Sequence, residues 1–145
     1  MTNKIKAVTS LCILSVVVLI GVLMSFGSKA HTQTFDFKNS DSISIGDIEG
    51  NHLTEIKGAD KKFIENFCSV KNAVNGDVET PACFFDTVEI IIVKDNETYI
   101  IYPSGDDCNN LAIDYKGESY YGGMADSMVT FKSILRKNNI PWYWG

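Results

Sequence analysis

The 145-residue chain is 45% hydrophobic, 21% charged and 11% aromatic, with 4 cysteines and 3 prolines, a balance that excludes disordered, collagen-like and cysteine-dense frameworks. Its net charge of −5 is unevenly spread, because all 18 acidic residues but only 10 of the 13 basic ones lie beyond residue 30, leaving −8 on residues 31–145. A domain that acidic has no basic stripe with which to neutralise phosphates, which argues against nucleic acid as a partner.

Residues 1–30 read as a membrane anchor or signal segment. Lys4 and Lys6 precede an uncharged stretch of 22 residues, Ala7 to Ser28. As a helix rising about 1.5 Å per residue, it would span the roughly 30 Å of a hydrocarbon core. The expectation is an N-terminal transmembrane helix held in the cell membrane through residues 7–28. The positive-inside rule leaves its N terminus cytoplasmic and the C-terminal domain outside. The alternative is a cleaved signal, since Ser28-Lys29-Ala30 puts small residues three and one positions before a cut after Ala30, releasing a secreted protein. Both readings export residues 31–145.

Residues 31–41 are expected to form a tether, polar except for Phe35 and Phe37, whose alternation allows an edge strand. Residues 42–145 are then one exported domain, without linker or repeat. Ser42 to Ile45 alternates, and Leu53 to Ile56 comes after Gly50-Asn51, a pair that tolerates positive φ, so a hairpin is predicted. Asp60 is placed to cap a helix over 61–72, with Phe63, Ile64, Phe67 and Cys68 on one stripe. Residues 72–83 read as a loop. Val88 to Val93 is apolar on nearly both faces and is predicted to be a central strand, turning at Asp95-Asn96 into Thr98 to Tyr102. Leu111 to Tyr115 and Glu118 to Tyr121 form a further hairpin about Lys116-Gly117. A last helix over 126–137 carries Met128, Phe131, Ile134 and Leu135 on one face and is closed by Asn138-Asn139 and Pro141. The predicted fold class is α+β, a mostly antiparallel sheet with two helices on one face in the order ββαββββα.

Few residues offer chemistry. If Asp95 and Asn96 are the loop residues of the central hairpin, paired positions sum to 191, and Cys83 and Cys108 obey the same rule. In an oxidising compartment they are the disulfide candidate, alongside other pairings or free thiols. Cys68 reads as a buried small hydrophobe, and a thiol nucleophile there would need a base that only the turn residue His52 could supply. The loop Gly105 to Asn110 is rich in oxygen but lacks calcium-loop spacing. No zinc-ligand pair, phosphate loop or dinucleotide fingerprint is present, so no metal, cofactor or catalytic residue is assigned. The aromatic residues Tyr120, Tyr121, Trp142, Tyr143 and Trp144 are the partner-binding candidates, if they do not fold back over the sheet.

The segments Asp60-Lys61-Lys62-Phe63-Ile64, Glu97-Thr98-Tyr99-Ile100-Ile101 and Tyr120-Tyr121, with the N-terminal apolar stretch, resemble small exported or membrane-tethered proteins of unknown function from Gram-positive bacteria. The resemblance implies a place at the bacterial surface. The expected function is a membrane-anchored extracytoplasmic binding module, without enzymatic activity, for a protein, peptide or envelope component. The alternatives are an inhibitor or immunity-type partner protein, and a small exported hydrolase or thiol enzyme.

Overall fold

The computed structural model describes residues 32–49, 53–77, 81–85, 87–106 and 108–142. In chain order the ten elements are β1 (Thr32–Phe35), β2 (Ser42–Asp47), β3 (Thr54–Glu55), α1 (Gly58–Cys68), β4 (Val70–Asn75), β5 (Val88–Lys94), β6 (Glu97–Pro103), β7 (Asn110–Tyr115), β8 (Glu118–Gly123) and α2 (Met128–Lys137). One eight-stranded sheet has the order β1-β4-β8-β7-β6-β5-β2-β3, with every pairing antiparallel.

The centre of the sheet is a meander whose turns the sequence dictates. Asp95 and Asn96 both take positive φ, as a two-residue hairpin of right-handed twist requires. They set Lys94 opposite Glu97 and Ile90 opposite Ile101. Lys116 and Gly117 do the same between β7 and β8. Alternation then sends Ile43, Ile45, Ile90, Ile92, Ile101, Leu111 and Ile113 to one face, where all are fully buried. Ile64, Phe67 and Cys68 of α1 and Phe131, Ile134 and Leu135 of α2 complete that core. The two helices meet through the Phe67 and Phe131 rings, stacked at 4.6 Å and 8°.

The fold corrects the predicted order in two places. The sheet has eight strands rather than six, because Thr32–Phe35 and Val70–Asn75 pair with each other and extend it beyond β8. Helix α1 therefore ends at Cys68, and the stretch expected as helix and loop up to residue 75 is β4. A side chain on Gly122 would collide with Val70 Cγ1, so glycine is what lets the start of β4 close on β8. Residues 32–41 are likewise not a free tether. After β1 the chain crosses the core face, burying Phe35 and Phe37 against Tyr99, with Phe35 also meeting the Tyr115 and Tyr120 rings.

The transmembrane helix is the other correction to the fold class: among the described residues no helix is long and apolar enough to cross a membrane. The stretch 7–28 lies outside the described residues.

Three of the four helix ends differ from expectation, since α1 runs Gly58–Cys68 and α2 starts at Met128. Asp60 is not the cap of α1, because the helix begins two residues earlier with Lys57 at the N-cap and no side-chain capping bond. Instead the Asp60 carboxylate accepts from Lys137 Nζ at 2.6 Å, tying α1 to the end of α2. Helix α2 closes as predicted: Asn139 takes positive φ, its N–H donates to Arg136 O, and Ile140 N donates to Leu135 O. This paired closure turns Ile140 back into the core.

The crossing segment is held by a buried carboxylate. Glu65 Oε1 accepts from Ser40 N at 3.0 Å and Ser40 Oγ at 2.9 Å, while Lys61 Nζ reaches the Ser40 carbonyl. Ser69 Oγ accepts from Phe37 N and donates to Glu65 O.

Candidate binding face

Among the described residues the two helices and the crossing segment occupy one face of the sheet and leave the other without a helix. Strand alternation puts Ser44, Glu89, Ile91, Ile100, Tyr102, Ala112, Asp114, Ser119 and Tyr121 on that open side. Tyr102 pairs with Ala112 across β6 and β7, and Ala112 with Tyr121 across β7 and β8. A small residue thus lies between two tyrosines in one cross-strand row. The next row sets Ile100 beside Asp114 and Asp114 beside Ser119, whose hydroxyl donates to Asp114 Oδ1 at 2.6 Å.

The Ala112 row is the floor of a groove lined by Ile48, Phe85, Tyr102, Ala112, Asp114, Ser119 and Tyr121. One wall comes from the loop before β5, where the Phe85 ring packs on Tyr121 at 5.6 Å between centroids. That loop is pinned at several points. Gly105 N donates to Phe84 O at 2.7 Å, Thr87 Oγ1 to Pro103 O at 2.8 Å, and Asn110 Nδ2 to Cys83 Sγ at 3.3 Å. Cys83 and Cys108 stand at disulfide distance, with Cα atoms 6.0 Å apart.

Two further depressions share Tyr121. One lies along Asn75, Asp77 and Glu118, and the other beside Val74, Pro81 and Asn110.

The open face is acidic. Burial, reinforced by the neighbouring Asp47, raises the Glu89 carboxyl above its ordinary value. Burial also raises the Tyr102 phenol, and the charges of Glu89 and Asp114 add to that shift, so both carboxylates act on the one hydroxyl. No Lys or Arg occupies an open-side position of β2 or β5–β8. Among the described residues the ion pairs join Lys57 to Glu55, Lys61 to Glu65, Lys116 to Glu97 and Lys137 to Asp60. None of them neutralises Glu89 or Asp114.

The candidates read from sequence are dispersed. Tyr120 faces the core, buried, with its hydroxyl on Glu118 Oε2. Tyr121 faces the open side. Trp142 is half-buried on the helix side, edge-on to Phe131 at 6.0 Å with Lys132 Nζ 5.0 Å above its ring. The aromatic candidates therefore do not form one surface, and Tyr143 and Trp144 lie outside the described residues.

Cys68 is fully buried in the core, and burial pushes its thiol well above the ordinary range. A thiol that resists ionisation is a poor nucleophile. His52 lies outside the described residues. One sulfur- and oxygen-bearing cluster, Cys83, Asp106 and Cys108, brings its three ligand atoms within 4.8 Å. Sulfurs joined to each other are not thiolate ligands.

Nothing in their local sequence marks Glu89, Tyr102, Ala112 and Asp114 as site residues. The signal was present in the pairing rule that linked Cys83 to Cys108, which also puts Glu89 opposite Tyr102. Comparison of the chain with protein-family models, with curated proteins and with solved structures gave no match.

Proposed function

We propose that the domain is an exported binding module that takes a protein or peptide of the cell envelope and performs no chemistry on it, as expected of a small exported protein from a Gram-positive bacterium. The observation that carries this reading is the sheet face opposite the helices, where half-buried rings and carboxylates that have no cationic partner among the described residues lie beside a pinned loop. A face left polar and aromatic on one side of a packed sheet suits recognition. Export is supported by the apolar stretch at 7–28 and by the Cys83 and Cys108 pair, since disulfides persist in oxidising compartments. Binding without turnover is supported by the burial of Cys68.

The test uses the full chain in its host envelope. A photoreactive residue is placed at Ile100 on the open face or at the exposed Val129 of α2. The expected result is a domain digested by protease added to intact cells, a native mass two hydrogens below the reduced one, and a specific adduct from position 100 but not from 129. A protected domain with free thiols at Cys83 and Cys108, or no adduct from position 100, would overturn the reading.

A further inference from the structure

We propose that the groove over Ala112 receives one lysine or arginine side chain presented by a basic peptide segment, a ligand class that deepens the binding-module reading and rests on it. The shape comes first. Neighbouring strands lie about 4.8 Å apart, so the backbones bearing Tyr102 and Tyr121 are separated by roughly 10 Å. Ala112 between them supplies only a methyl group. The space above it, lined also by Phe85 and Ile48, suits one extended alkyl chain or one planar guanidinium.

The walls then select the chemistry. Tyr102, Tyr121 and Phe85 present aromatic surface, which attracts a cation through the ring quadrupole and packs against an alkyl stem. Asp114 stands in the groove wall and Glu89 beside Tyr102, and neither carboxylate has a cationic partner among the described residues. Carboxylates near rings, without a cation, form the complement of an arginine or lysine head group. An anionic or neutral occupant would leave those charges uncompensated. A second copy of the same face would bring like charges together, so self-association through it is disfavoured.

Two features separate this site from a general acidic surface. The groove has a defined floor, and the loop that carries Phe85 is held by hydrogen bonds around the Cys83 and Cys108 pair. Aromatic walls also discriminate by shape, which charge alone cannot do.

The experiment measures binding of a dye-labelled peptide, acetyl-Gly-Arg-Gly-Lys-Gly-amide, to the full chain in detergent by fluorescence anisotropy. A matched peptide carries citrulline for arginine and norleucine for lysine. Three variants accompany the native chain: Glu89→Gln with Asp114→Asn, Ala112→Val to fill the floor at constant charge, and Asp41→Asn with Asp95→Asn to remove the same charge from exposed sites elsewhere. Circular dichroism melts confirm that each is folded.

The expected result is saturable binding of the cationic peptide only, weakened at least tenfold in the first two variants and less than twofold in the third. Equal losses in both charge variants, or full binding by Ala112→Val, would overturn the proposal, as would the absence of binding. Failure of the proposal remains distinguishable from failure of the binding-module reading. An envelope adduct from position 100 that persists in the Glu89→Gln and Asp114→Asn chain sinks the cation site alone, whereas no adduct and no peptide binding sink both.

Discussion

The two faces of the sheet are built from alternate residues of the same strands, yet they obey opposite rules. On the covered face Ile43, Ile45, Ile90, Ile92, Ile101 and Ile113 are fully buried beneath two helices. On the open face Glu89, Ile91, Ile100, Tyr102, Asp114 and Tyr121 are half-buried, with no helix above them among the described residues. Because side-chain direction has a period of two, one strand can serve both sides without compromise. The covered side supplies hydrophobic stabilisation and fixes the register. That frees the open side to carry charge that does not stabilise the fold. Substitutions on the two sides should therefore separate stability from binding.

The largest effect should come from the centre of the covered face. Phe67→Ala removes the ring that stacks on Phe131 between the helices, and should destabilise by about 3–5 kcal/mol. Chemical denaturation would register it as a lower midpoint. Tyr121→Ala, the matching truncation on the open face, should cost clearly less. If the two losses were equal, the faces would not differ as described.

The Cys83 and Cys108 pair comes next. Replacing both with serine opens a loop spanning 25 positions, for which chain entropy gives a loss of about 3 kcal/mol. The melting temperature should fall, and the native chain should fall to the same value when reduced. If reduction leaves the serine variant unchanged, as it should, the effect belongs to the pair and not to Cys68.

A smaller loss is expected where the covered face contains its own polar staple. Glu65→Ala leaves Ser40 Oγ without its acceptor in a buried site and Ser40 N with only its longer bond to Phe37 O, at a cost of about 1–3 kcal/mol. Glu65→Gln keeps an acceptor oxygen and should lose less. Hydrogen exchange should also quicken across residues 36–41 in the alanine variant, since that crossing is what the carboxylate holds down.

The same comparison explains what the sequence disclosed. The central meander was legible because Asp95-Asn96 and Lys116-Gly117 are turn pairs whose positive φ values fix the register. The helix stripes were legible because Phe63 to Cys68 and Met128 to Leu135 repeat at helical spacing. Strand β4 was not, because Val70, Ala73 and Val74 lack strict alternation around Asn72, which takes positive φ; its pairing with β1 and β8 is a tertiary decision. The Asp60 cap failed because the carboxylate found Lys137, distant in sequence. The groove went unread for a different reason. Its residues are individually ordinary, and only the cross-strand row of Tyr102, Ala112 and Tyr121 makes them a site.

The smallest effect on stability should come from Glu89, and it should fall in the acidic range where carboxyl groups titrate. Burial and Asp47 raise its carboxyl above the value it has in the unfolded chain. Between those two values the folded state binds more protons than the unfolded one, so this group's contribution to stability falls as pH rises through that window. Once both states are ionised, the full penalty of the charge persists at neutral pH. Glu89→Gln should remove that penalty, leaving stability at neutral pH equal to or slightly above native and flattening this part of the pH profile. A carboxylate retained at such a cost, with the substitution weakening binding of the cationic peptide, would mark the open face as selected for recognition. Denaturant midpoints measured on both chains from mildly acidic to neutral pH provide the check, and a destabilised Glu89→Gln at neutral pH would mean that Glu89 supports the fold.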